Sequence, residues 1–275
     1  MAQKTTTSCD DLLTQLGQLG DLRVWSVIIT IFGDAVMPRG GTVPARVLSA
    51  ITDRLSIKPE ALRVALYRLA KDGWIIRAKS GRNSFYRLSD TGHTEFLSAT
   101  RRIYAPGPER HGPWQLAGLP PMPEARRAEA ATQMAAAGFL ALSPLLFLGP
   151  APAGPLPDHA IAVTGTLPTL PDWARAALAP AALQRDYVRL VETLETCRAR
   201  LGEITDPLDA VALRMLLTHQ WRRLLLRHAD LPLDLMPTGW RGEDCRALVL
   251  AIHAALSPLA DQWLDAALGQ PRTAE

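Results

Sequence analysis

Lys58-Pro-Glu-Ala-Leu-Arg-Val-Ala-Leu-Tyr-Arg-Leu-Ala-Lys-Asp-Gly-Trp-Ile-Ile-Arg-Ala-Lys-Ser-Gly-Arg-Asn-Ser-Phe-Tyr-Arg-Leu-Ser-Asp-Thr-Gly92 reads as a helix followed directly by a hairpin. Leu62, Ala65, Leu66 and Leu69 recur at helical spacing and form one apolar stripe. The opposite side carries Glu60, Arg63, Val64, Tyr67 and Lys71, with Arg68 flanking. Pro59 suits the first helical turn, where its missing N–H removes no bond. That leaves Lys58 as the N-cap, without a side-chain acceptor for the free N–H groups. Gly73 suits the position just past the helix end. Trp74, Ile75 and Ile76, then Phe85, Tyr86 and Leu88, are residues that fill paired strands. Ser80-Gly81-Arg82-Asn83 supplies the turn between them. Arg77, Lys79, Arg82 and Arg87 make the hairpin positive.

A helix stopped at Gly73 that runs into a cationic hairpin is the pattern of a winged helix, with one helix in the DNA major groove and a wing beside it. A charged helix face can also be a merely solvated face. The coincidence of helix, Gly-Trp stop and basic hairpin places DNA binding ahead of that reading. On it, Arg63, Val64 and Tyr67 are candidates for reading base edges. Lys58, Arg68 and Lys71 are candidates for phosphate contacts, Arg82 and Asn83 at the tip for the backbone or minor groove, and Lys79 on the hairpin is a further DNA-binding candidate.

Charge is distributed accordingly. Residues 21–102 hold 14 Lys and Arg against 7 Asp and Glu, whereas the whole chain has 30 against 27. The rest of the chain is therefore net acidic, and positive charge is concentrated where a phosphate footprint requires it. The small net charge of +3 excludes a general nucleic-acid coat.

The other segments give an α+β chain of several units. Residues 1–20 read as an extension, flexible through residue 9, with Leu12, Leu13, Leu16 and Leu19 on one helical face. Residues 21–104 hold the winged helix. Trp25, Ile28, Ile29 and Phe32 would form a buried first helix ending near Gly33-Asp34, Pro38 to Gly41 a turn, and Pro44 the start of a second helix. Thr91 to Ile103 read as a further helix. Ala105-Pro-Gly-Pro108 through Pro113 is a linker. Residues 114–170 alternate strand, helix and strands (114–119, 124–137, 139–142, 145–148, 160–164), as in a ferredoxin-like split βαβ domain. Residues 171–275 are helical, at 183–201, 208–226 and 244–268. No apolar stretch reaches a membrane-spanning length on this reading, and no signal peptide is visible. Cys9, Cys197 and Cys245 are too few and too far apart for a disulfide framework, which suits a reducing cytoplasm.

Ser26-Val-Ile-Ile-Thr-Ile-Phe-Gly-Asp-Ala-Val-Met-Pro-Arg-Gly-Gly41, Ala61 to Trp74, Gly81 to Gly92, and His219-Gln-Trp-Arg-Arg-Leu-Leu-Leu-Arg-His-Ala-Asp-Leu-Pro-Leu-Asp-Leu-Met-Pro-Thr-Gly-Trp240 resemble the PaaX family of bacterial transcriptional repressors. The resemblance implies a winged helix, a central ferredoxin-like domain and a helical C-terminal domain. It also implies a homodimer on double-stranded operator DNA, released by an aryl-CoA thioester such as phenylacetyl-CoA. The chain departs from the family at Leu116-Ala-Gly-Leu-Pro-Pro-Met-Pro-Glu124, where the first central strand usually ends in an Asp. A CRISPR-associated endonuclease fold of similar shape needs that Asp for metal, so its absence counts against nuclease chemistry.

No catalytic or metal motif is present: the six histidines form no His-Glu-x-x-His, and there is no nucleophile elbow or phosphate loop. No cofactor is expected. Trp221, Arg222, Arg223, Arg227 and Trp240 admit two readings. Arginines can grip the phosphates of a CoA moiety while a Trp packs on its rings. Alternatively the arginines line a helix face and the tryptophans are core, which is the favoured reading for any single residue. His219 reads as a helix-surface or packing residue, and Cys197 and Cys245, within helical patterns, as buried structural thiols. The rival from another class is a winged helix that binds protein rather than DNA; steep salt dependence separates the two.

Overall fold

The computed structural model of the protein describes residues 8–81, 83–108, 113–151, 154–166, 169–229 and 231–269. The chain is α+β and forms two compact units: Met1–Pro106 with Asp186–Leu224 and Asp244–Glu275, and Gly107–Arg185 with Leu225–Glu243.

The first unit opens with α1 (Ser8–Gly17). Cys9, Leu12, Leu13 and Leu16 are buried, so the expected flexibility of residues 8 and 9 gives way to a packed helix. Residues 1–7 lie outside the described part. α2 (Val24–Ile31) follows, then a π-helical turn at Phe32–Val36 and a 3-10 turn at Met37–Arg39. Ile28, Ile29 and Phe32 are buried as expected, but Trp25 is 41% exposed. It sits in the first turn of α2, where the apolar stripe has not yet met the core. β1 (Thr42–Pro44) was not foreseen, because three residues are too few for a periodic signal. Pro44 ends it and caps α3 (Ala45–Arg54). α4 (Pro59–Lys71), β2 (Ile75–Ser80), β3 (Asn83–Leu88) and α5 (Asp90–Tyr104) complete the N-terminal part. The antiparallel sheet has the order β1-β3-β2, with Val43 opposite Tyr86 and Ile75 opposite Leu88.

The Phe-Gly-Asp-Ala-x-x-Pro-Arg-Gly-Gly stretch is the joint of this unit. Phe32 is fully buried. A Cβ at Gly33 would overlap the Phe96 ring, so only glycine lets α5 approach. Gly40 (φ 80°) and Gly41 (φ 71°) turn the chain through left-handed conformations into β1.

The unit's remaining helices come from the end of the chain. α8 (Ala181–Ala199), α9 (Pro207–Leu225) and α10 (Gly242–Leu268) lie mostly within it. Residues 210–221 of α9 are all buried, which makes α9 the central helix. α10 is long and apolar enough to cross a membrane by length and composition, contrary to the sequence expectation. Its Cys245, Val249, Ile252, Leu256, Ala260 and Leu264 are buried in the protein core instead.

The second unit contains β4 (Trp114–Gly118), α6 (Glu124–Ala136), β5 (Leu140–Ser143), β6 (Leu146–Pro150), β7 (Ile161–Gly165) and α7 (Asp172–Leu178). Its antiparallel sheet has the order β5-β6-β4-β7. Ala117 and Phe147 on one sheet face pack with Ala130 and Met134 of α6 and with Leu119 and Phe139.

Candidate nucleic-acid interface

α4 is built as its sequence dictates. Leu62, Ala65, Leu66 and Leu69 are buried, Lys58 is an N-cap making no side-chain cap bond, and Gly73 (φ 75°) follows the helix end. The outward face then carries Lys58, Arg63, Val64, Tyr67, Arg68 and Lys71, all exposed. Tyr67 is 70% and Val64 51% exposed. Arg63 meets Glu60 at 3.2 Å, a solvated i,i+3 pair that holds it weakly. Arg77, Lys79, Asn83 and Arg87 are exposed on the hairpin, with Arg77 donating to Ser84 Oγ at 2.8 Å. Arg82 lies outside the described residues. Trp25 joins this surface: with Val24, Ala61, Val64, Ala65 and Arg68 it lines an apolar groove of about 360 Å³ between α2 and α4. Helical spacing with Ile28, Ile29 and Phe32 hid it from the sequence reading.

The same unit holds a buried charge network. Arg214 Nε of α9 is 2.8 Å from Asp34 Oδ1, and both side chains are essentially inaccessible. His253 Nε2 (2.7 Å) and Tyr104 Oη (3.0 Å) reach Asp34 Oδ2. Arg214 Nη1 donates to Asp261 at 2.8 Å. Asp261 also accepts from Arg39 Nη2 at 2.8 Å, and Asp265 from Arg39 Nε at 2.7 Å. Burial alone would raise the Asp34 carboxyl, but Arg214, His253 and Tyr104 outweigh it and hold it well below the usual carboxylate range. Asp261 is likewise held low against its partial burial by Arg214 and Arg39.

The effector candidates divide. Trp221 is core: Nε1 donates to Ile103 O at 2.9 Å, Tyr187 meets its ring edge-on, and the Arg246 guanidinium lies 5.2 Å from its centroid. Arg222 donates to Ser26 Oγ at 3.0 Å, and Arg223 to Leu19 O at 2.9 Å and Gln220 Oε1 at 3.0 Å. Gln220 donates to Leu16 O at 2.7 Å, and His219 Nδ1 is 3.5 Å from Thr30 Oγ1. This run of α9 thus binds α1, α2 and α5 residue by residue. Burial, aided by Arg222 and Arg223, pushes His219 down to about 4. Trp240, buried and edge-on to His228 with centroids 5.4 Å apart, and Arg227, exposed, belong to the second unit. The three cysteines are buried thiols. Among the described residues no group of three or more His, Cys, Asp or Glu is placed to hold a metal ion.

Comparison with known proteins identifies the family. The family described as PaaX-like protein matches residues 23–92, and the PaaX-like protein C-terminal domain matches residues 179–266. Transcriptional repressor PaaX of Escherichia coli (strain K12) is 30% identical over 258 residues, spanning 86% of this chain and 81% of that protein. The chain belongs to the PaaX-like family. A solved structure, the uncharacterized protein Rv0674 from Mycobacterium tuberculosis, is 20% identical with a TM-score of 0.46, covering 84% of this chain and 96% of that one.

Proposed function

We propose that this chain is a DNA-binding transcription regulator, a repressor, whose α2–α5 and three-stranded sheet act as a winged helix. The outer face of α4 carries the reading: Arg63, Val64 and Tyr67 stand exposed together, followed at once by an exposed basic hairpin. Arginine pairs with guanine edges, and Val64 and Tyr67 offer apolar contact to thymine methyls. Lys58, Arg68, Lys71 and Lys79 hold phosphates, Asn83 at the start of β3 meets the backbone or minor groove, and Arg82, next to it in the sequence, is assigned the same role. Family membership and the name of the Escherichia coli relative support repression.

The finer reading follows the family. A homodimer matches two half-sites on a duplex. The second unit's strand order, with the third strand between the first and second, supports the ferredoxin-like reading. The protein is non-catalytic, needs no cofactor and works in the cytoplasm, where its DNA is. Its effector is an acyl-CoA thioester, phenylacetyl-CoA being the first to try. Of the five effector candidates, Arg227 is the exposed one, whereas Trp221, Arg222 and Arg223 are engaged within the first unit.

Fluorescence anisotropy tests this, using the duplex upstream of the chain's own coding region and an unrelated duplex, at two salt concentrations, with and without phenylacetyl-CoA. The expected result is preferential binding to the first duplex that weakens steeply with salt. Equal, salt-insensitive or absent binding to both duplexes overturns the DNA reading. Binding untouched by the thioester keeps that reading and removes this effector.

A further inference from the structure

We infer that Arg39 is a positioning residue through which α10 sets the place of the basic hairpin; its bearing on DNA rests on the function proposed above. Arg39 has a fully inaccessible side chain, yet its guanidinium is shared between Asp261 and Asp265 of α10 and Ala35 O, the last at 3.1 Å. Burying a guanidinium costs several kcal/mol of desolvation even when it is well paired, so a residue serving packing alone would be apolar. A charge cluster is directional where an apolar contact is not: it fixes one arrangement of α10 against this point of the chain.

That point is the root of the hairpin. Gly40 and Gly41 follow Arg39 in left-handed conformations, and β1 begins at Thr42. β1 begins three positions after Arg39, so the strand starts within about 10 Å of the anchor. β1 pairs with β3 through Thr42 to Arg87, Val43 to Tyr86 and Pro44 to Phe85, supporting the hairpin on the side away from β2. α10 touches the next element too, since Arg46 in the first turn of α3 donates to Ala267 O at 3.4 Å. Asp261 is shared with Arg214, which reaches Asp34, so α9 joins the same linkage. A shift of α10 near Asp261 and Asp265 therefore moves β1, and β1 moves the hairpin that carries Lys79.

Asp265→Asn tests the link gently, because Asp265 is partly solvent-accessible and Arg39 keeps Asp261. Hydrogen exchange of the free full-length protein is followed in β1, β3 and α9. The expected result is exchange about tenfold faster in β1 and β3, with α9 unchanged and Asp265→Glu restoring part of the protection. DNA binding is then measured for Asp265→Asn, Lys79→Ala and the double variant on the upstream duplex. If α10 acts through the hairpin, Asp265→Asn weakens the wild type about fivefold and the Lys79→Ala protein hardly at all. Unchanged exchange in the strands, an equal rise in α9, or losses that simply multiply would each overturn the inference. If the wild type binds no DNA, the function proposed above fails, and the exchange arm still decides whether α10 governs the hairpin.

Discussion

The outer face of α4 with its hairpin and the interior joint at Asp34 draw on the same residue types and use them in opposite ways. Arg63, Arg68, Lys71 and Lys79 stand in water, and the ion pair of Arg63 with Glu60 is solvated. Arg39, Arg214 and Asp34 are fully buried and paired at 2.7 to 2.8 Å. A charge in water contributes little to folding and is available to a phosphate. A charge taken out of water is costly unless paired, and once paired it is costly to disturb. The interior set should therefore govern stability, and the outer set binding.

The largest test of that division is Arg214→Ala. It removes the guanidinium that balances the Asp34 carboxylate in an inaccessible site, leaving His253 and Tyr104 on Oδ2, and removes a partner of Asp261. Urea unfolding should show a loss of about 3–5 kcal/mol. A loss below about 1 kcal/mol would break the contrast, since it would put the buried pair on the scale of surface ones.

Acid gives the next largest effect. His219 is held neutral by burial, with a pKa of about 4 against an ordinary 6.5. Between those values the unfolded chain takes up a proton that the folded chain refuses, so stability falls as pH drops from 6.5 toward 4. The full loss is about 3 kcal/mol, from the size of the shift. Asp34 and Asp261 act lower: both are held below the ordinary 3.8, so their contribution is full above that value and is lost as pH falls through their folded-state range. Urea unfolding from pH 7 to 4.5 should slope for the wild type and be flatter for His219→Gln. Parallel curves would show that His219 does not titrate as its burial requires.

The two regions were unequally legible in the sequence. The stripe, cap and stop of α4 are local, so periodicity alone placed Leu62, Leu66 and Leu69 inside and Arg63 and Tyr67 outside. The strands of residues 114–165 were read to within a residue or two for the same reason. The joint depends on contacts far apart in the chain, such as Asp34 with Arg214, and spacing carries no signal for these. For arginines 222 and 223 the sequence therefore left a ligand reading open beside the favoured structural one, and it could not name Ser26 and Leu19, to which they bond. β1 was too short to read, and Trp25 matched the buried period while lying beyond the edge of the core. The motif at Phe32 to Gly41 was visible as unusual wording, but its reason appears only when α10 is in place.

The smallest stability effects belong to the outer face, where the sharpest functional ones are expected. Arg63→Ala and Lys79→Ala should each change unfolding stability by no more than about 0.5 kcal/mol, because neither is buried nor strongly paired. On DNA the two should part company. Arg63→Ala should cost about 1–3 kcal/mol on the upstream duplex and far less on an unrelated one, since a base-edge contact is lost. Lys79→Ala should weaken both duplexes alike and reduce the logarithmic salt slope by about 1, since a phosphate contact is lost. Anisotropy titrations of both variants on both duplexes across a salt series separate these outcomes. If Arg63→Ala weakens both duplexes equally, Arg63 holds the backbone, and base reading passes to Tyr67 and Val64, the apolar residues that α4 leaves in water.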